Sequence, residues 1–85
     1  MSLDNAVKLV RDMVAIPSVN PMGRLISGDI YLESQLADFV EAKLKDLGMD
    51  VEKYEVMPGR PNVVGFMQAK GKPILLLDSH LDTVP

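Results

Sequence analysis

The chain has 85 residues, enough for one domain at most, and a chain of this length buries only about 60 to 65% of the surface that it exposes when unfolded. Its net charge is −3, with nine basic residues scattered among twelve acidic ones, which argues against a nucleic-acid partner or an anionic membrane surface. The absence of cysteine excludes disulfides and thiolate metal ligands. With no basic and apolar leader at the N-terminus and no apolar run long enough to span a bilayer, a cytoplasmic location is expected.

The first segment has the spacing of an amphipathic helix. Its apolar residues recur at i, i+3, i+4 and i+7, and they are Ala6, Val7, Val10, Met13 and Val14. The pattern predicts a helix over residues 4–16, with Asp4 as the N-cap. Pro17 should end it, because the residue before a proline is disfavoured in the α region.

A second helix is predicted over residues 30–47, with Asp29 or Ser27 as its cap and Gly48 at the C′ position. Its core face would carry Leu32, Leu36, Phe39, Val40, Leu44 and Leu47. Its outer face would carry Glu33, Glu41, Lys43, Lys45 and Asp46. We interpret the outer charges as a solvated surface, on which Glu41 and Lys45 have the favourable i, i+4 order.

After Gly48 the pattern predicts strands. Residues 51–57 and 62–68 are rich in Val, Tyr and Phe, and "PGRP" between them predicts a turn. "AKGK", residues 69–72, predicts a second turn before "PILLLDSH". The unbroken apolar run at residues 74–77 is typical of a strand covered on both faces, so we expect it at the centre of an α/β sheet.

The end of this third strand holds the candidate chemistry. Asp78, His80 and Asp82 alternate, so in an extended chain they would project to one side. A histidine is a common zinc ligand, and a carboxylate on its other ring nitrogen fixes its tautomer, a role open to Asp82. Taken alone, a single histidine is more often an ordinary hydrogen-bonded residue, and Asp78 is better interpreted as capping the strand end.

Several segments together resemble a known enzyme family. They are "LVRDMVAIPSVNP", "LKDLGMDVE", "NVVGFMQ" and "ILLLDSHLDTVP", and the likeness extends over essentially the whole chain. In this order they resemble the start of the zinc metallopeptidase family that contains acetylornithine deacetylase, succinyl-diaminopimelate desuccinylase, aminoacylase and carboxypeptidase G. "HLDTVP" with the upstream "IPSVNP" is the most specific element.

The resemblance implies a three-layer α/β/α catalytic domain with a mixed sheet, of which residues 1–85 would be the N-terminal part. It implies that His80 ligates one zinc of a two-metal centre, where cobalt or manganese could also serve, and that Asp82 acts catalytically by orienting His80. The bridging aspartate, the glutamate pair and the other ligands would follow Pro85. The implied activity is hydrolysis of an amide bond in a peptide or N-acyl amino acid, by a homodimer that uses a second, smaller domain.

A second hypothesis assigns the chain to a non-enzymatic class of protein. The chain would then be a small interaction module without catalysis, which keeps the family's N-terminal architecture and uses His80 and Asp82 only structurally. A reading frame that continues beyond Pro85 into the expected metal ligands would separate the enzyme from the module.

Overall fold

The computed structural model describes residues 2–68, 70–71 and 73–85, which contain two helices followed by a two-stranded antiparallel sheet. The helices are α1, Leu3–Val14, and α2, Ser34–Asp46; the strands are β1, Asp50–Met57, and β2, Arg60–Phe66. The chain is therefore a small mixed α/β domain. Neither helix is long and apolar enough to cross a membrane, in the part of the chain described.

Helix α1 begins and ends slightly before its predicted limits. Ser2, not the predicted Asp4, is the N-cap, and its Oγ accepts a hydrogen bond from the backbone N of Asn5 at 3.1 Å. The helix ends at Val14, three residues before Pro17. None of its residues is buried, so its apolar stripe faces solvent in this structure.

Helix α2 packs on both strands and supplies the core. Leu36 and Ala37 are buried, at 5% and 0% exposure. Its predicted C-terminus is confirmed, because Leu47 is the C-cap and Gly48 at C′ has φ +84°. The predicted N-terminus is wrong: the helix begins at Ser34, and its N-cap, Glu33, makes no side-chain capping bond.

The predicted hairpin is confirmed, although its second strand begins and ends two residues earlier than predicted. β1 and β2 pair from Asp50 opposite Phe66 to Met57 opposite Arg60, with an irregularity between Glu55 and Met57. Gly59 takes φ +76° in the turn, and a Cβ there would lie 2.8 Å from Leu32 Cδ1. A positive φ and a close side chain together explain why glycine occupies this position. The predicted turn at residues 69–72 includes Ala69 and Lys72, which lie outside the described residues.

The prediction of a central third strand is wrong for this structure. Residues 73–80 belong to no strand, and the four apolar side chains from Ile74 to Leu77 are 80–96% exposed. A strand needs a neighbour for its backbone N–H and C=O groups, and in the described part of the chain β1 and β2 pair only with each other. The apolar run therefore has the composition of a buried strand without a sheet to complete it.

We expect the 85-residue chain to self-associate through this run, because an exposed apolar segment whose backbone pairs with no strand is an association site. Sedimentation velocity over a concentration series should show reversible or irreversible oligomers. The double variant Leu75→Lys and Leu77→Lys should have a larger fraction of monomer. A chain that stays monomeric at every concentration, with or without the lysines, would contradict this expectation.

Glu33 departs from the predicted solvated face. It is buried, at 7% exposure, and its carboxylate pairs with the guanidinium of Arg60. Arg60 Nε donates to Glu33 Oε2 at 3.0 Å and Arg60 Nη2 donates to Glu33 Oε1, so the pair is bidentate. It ties the start of α2 to the start of β2. The predicted pair of Glu41 and Lys45 is confirmed, at 3.6 Å.

Removing the charge of Glu33 should therefore destabilise the fold. We expect Glu33→Gln to lower the free energy of unfolding by about 2 kcal/mol, because it leaves a half-buried guanidinium without its anionic partner. Glu41→Gln is the matched control, since the ion pairs of Glu41 lie nearer the surface and should contribute less. Chemical denaturation of both variants checks this, and equal losses would show that burial of the Glu33 pair is unimportant.

Candidate metal centre

The candidate site lies where three segments of backbone meet. Val19 is bridged in parallel to Tyr31 on one side and to Thr83 on the other. Asn20 N donates to Thr83 O at 2.9 Å, and Thr83 N donates to Ser18 O at 3.0 Å. The result is a narrow three-stranded contact that brings "SVN" beside "LDT".

Ser18 strengthens this junction from its side chain. It is 2% exposed, and its Oγ donates to the backbone O of Leu81 at 2.9 Å. A buried hydroxyl needs such a partner, because an unsatisfied polar group away from water is costly. Residues 81–83 are thus held against residues 18–20 by hydrogen bonds from both side-chain and backbone atoms.

The predicted site residues His80 and Asp82 lie in contact. Asp82 Oδ1 is 2.9 Å from His80 Nδ1, and the backbone O of Asp82 is 3.0 Å from the same nitrogen. Both oxygens are acceptors, so this geometry favours the tautomer that carries its proton on Nδ1. In that tautomer Nε2 has the free lone pair that a metal would use.

The second oxygen of Asp82 is also engaged. Asn20 Nδ2 donates to Asp82 Oδ2 at 2.7 Å, so the Asp82 carboxylate bridges an amide and an imidazole. The Asp82 side chain is 28% exposed, whereas the His80 side chain is 84% exposed. The carboxylate is therefore held within the junction, and the imidazole extends from it into solvent.

The electrostatics of Asp82 follow from these contacts. The hydrogen bond from Asn20, and then the contact with His80, lower the pKa of the Asp82 carboxyl below its ordinary value of 3.8. The pKa of Arg60 is raised mainly by its hydrogen bonds to Glu33. The negative charge of Asp82 also contributes to raising it. The junction therefore favours the charged carboxylate that would support a ligating histidine.

This lowered pKa predicts an acid sensitivity. A folded-state pKa below the unfolded value adds stability at pH values above the unfolded value near 3.8, and that stability is lost as the pH falls through the folded value. We expect the contacts of Asp82 with Asn20 and His80 to open only below pH 3.8. The carboxyl ¹³C shift of Asp82, followed during acid titration, measures this directly. A midpoint at or above 3.8 would contradict it.

Asp78 does not join this arrangement. It is exposed, and the described residues contain no group of three or more His, Asp or Glu side chains placed to hold a metal ion. His80 and its carboxylate partner fit the chemistry of one zinc ligand, an imidazole whose second nitrogen donates to a carboxylate. The described part of the chain thus contains one imidazole with the chemistry of a zinc ligand and no complete ligand set.

Sequence reasoning missed Ser18 and Asn20 as part of the site. The sequence analysis gave them no role of their own, and the available signal was the pairing of "IPSVNP" with "HLDTVP" in the resemblance. Their contribution depends on contacts across 62 and 63 positions of sequence, which local patterns do not report.

No family model, curated protein or solved structure matches this chain.

Proposed function

We propose that residues 1–85 form the N-terminal part of the catalytic domain of a metal-dependent amide hydrolase, a metallopeptidase or deacylase. The single observation that carries the proposal is the Asn20–Asp82–His80 hydrogen-bonded chain, which presents an imidazole with its Nδ1 already bound to a carboxylate. Such an imidazole has its Nε2 lone pair ready for zinc. The substrate class is a short peptide or an N-acyl amino acid.

In this proposal each residue has a defined task. His80 supplies one ligand nitrogen, and its exposure leaves room for ligands from other segments. Asp82 holds the ring and its tautomer. Zinc, when bound, supplies a Lewis acid that polarises the scissile carbonyl and lowers the pKa of water. The remaining ligands and the general base lie, in this proposal, beyond Pro85.

The exposed apolar surfaces support the proposal that these residues are part of a larger domain. The run from Ile74 to Leu77 is exposed and no residue of α1 is buried, although both patterns are typical of buried elements. In a three-layer α/β/α domain with a mixed sheet, further strands would flank residues 74–77 and cover them. We place the complete protein in the cytoplasm as a homodimer, with a second, smaller domain that mediates the contact.

A zinc titration of the intact protein tests the role of His80. The imidazole ¹⁵N signals of His80 should report coordination at Nε2, with Nδ1 keeping its proton, and bound zinc should be required for hydrolysis of N-acyl amino acids or dipeptides. Cobalt should substitute for zinc with a visible absorption band. An imidazole that is unchanged by saturating zinc or cobalt would favour the interaction module instead.

A further inference from the structure

The orientation of the Asn20 side chain is determined by two contacts. Its Oδ1 accepts a hydrogen bond from the backbone N of Met22 at 2.7 Å, which leaves Nδ2 as the group that donates to Asp82 Oδ2. A flipped amide would place a donor against the Met22 N–H and an acceptor against the carboxylate. The two contacts therefore exclude the flipped amide.

The backbone around Asn20 is also held in place. Pro21 follows it, and a residue before proline is restricted to the extended region, as the pairing of Asn20 with Thr83 requires. The backbone N–H of Met22 donates to Asn20 Oδ1, which is the i to i+2 contact of an Asx-turn. Asn20 is thus fixed through its backbone and through both ends of its amide.

The His80 ring, in contrast, has little packing to orient it. Its side chain is 84% exposed, and its hydrogen-bond contacts within the described residues are with Asp82. The Asp82 carboxylate can rotate about χ2, a broad torsion without sharp minima, unless both oxygens are engaged. Asn20 engages the oxygen that faces away from His80. The backbone O of Asp82 contacts Nδ1 independently of Asn20, whereas the carboxylate contact that completes the orientation of the ring depends on Asn20.

We propose that Asn20 is a positioning residue for the His80–Asp82 pair: by holding Oδ2 of Asp82, it keeps Oδ1 on His80 Nδ1 and leaves Nε2 for the metal. The claim about His80 and Asp82 stands on geometry alone, and the claim about metal rests on the proposed function. Asn20 touches neither metal nor substrate in this scheme.

The test uses two variants, a control and a reference in the intact protein. Asn20→Asp retains the acceptor for Met22 but sets a carboxylate against Asp82, and Asn20→Ser retains an acceptor without the long amide donor. Asn62→Asp makes the same charge change at an exposed position of β2. Asp82→Ala removes the carboxylate but keeps its backbone oxygen, so it defines the His80 signals without the side-chain contact.

The first measurement is the pair of imidazole ¹⁵N shifts of His80 without metal, at about pH 8.5, where an ordinary imidazole is neutral. We expect Asn20→Asp to move both shifts toward those of Asp82→Ala, Asn20→Ser to move them part of the way, and Asn62→Asp to leave them unchanged. If the His80 ¹⁵N shifts in Asn20→Asp equal those of the wild type, the proposal is overturned. If Asn20→Asp does not fold, Asn20→Ser decides in the same way.

The second measurement is zinc affinity. We expect it to fall by about 3- to 10-fold in Asn20→Asp, less than for loss of the direct carboxylate partner. If wild-type His80 binds zinc but the Asn20 variants keep wild-type shifts, the positioning role fails and the proposed function stands. If the shifts move as expected but wild-type His80 takes no zinc, the positioning role stands and the proposed function fails.

Discussion

Replacing His80 with alanine is expected to remove most bound zinc from the intact protein and to lower amide hydrolysis by more than about 100-fold, since loss of a ligand should exceed the effect of losing its carboxylate partner. His80 provides the only imidazole in residues 1–85, and the chain has no cysteine to replace it. The fold should survive, because the His80 side chain is 84% exposed and its removal takes away no packing. Metal analysis and turnover on N-acyl amino acids and dipeptides measure the effect.

Asp78→Asn is the matched control for this experiment. Asp78 lies two residues before His80, is exposed, and takes no part in the hydrogen-bonded chain of Asn20, Asp82 and His80. We expect it to keep zinc and turnover close to wild type. If His80→Ala retained full metal and full turnover, His80 would be an ordinary surface histidine, and the enzyme proposal would lose its main support.

Asp82→Asn should lower zinc affinity or turnover by about 10- to 100-fold, while the fold survives. Both oxygens of Asp82 accept hydrogen bonds, one from Asn20 Nδ2 and one from His80 Nδ1–H. An amide at this position has one acceptor and one donor, so its NH₂ must face a donor on one side or the other. The change also removes the negative charge that would stabilise a histidine bound to zinc.

The readouts for Asp82→Asn separate its effect from unfolding. Thermal denaturation should show a folded protein, and the His80 ¹⁵N shifts should show a changed tautomer population before zinc is added. Excess zinc should restore part of the turnover, because the ligand itself is still present. Wild-type zinc affinity in a folded Asp82→Asn protein would assign Asp82 a purely structural role at the junction with residues 18–20.

The secondary structure that follows from local chemistry was predictable. The β1–β2 hairpin follows from two runs rich in β-formers around "PGRP", and the end of α2 follows from Gly48 at C′. The contact of Asp82 with His80 was also within reach of the sequence, because the two residues are separated by one position and a carboxylate is the usual partner of a ligating histidine. Each of these features depends on residues close together in the chain.

The features that the sequence did not reveal all depend on distant partners. Glu33 has the charge of a surface residue, yet it is buried because Arg60, 27 positions away, neutralises it. Residues 74–77 have the composition of a central strand, but a strand forms only beside another strand. The local sequence shows Asn20 only as a polar residue before a proline. The parallel pairing of Val19 with Thr83 is what brings its amide to Asp82. The sequence by itself thus determined the end of α2, the β1–β2 hairpin and the closeness of His80 to Asp82, whereas the tertiary structure decided which distant segments meet, because that depends on long-range pairing and burial.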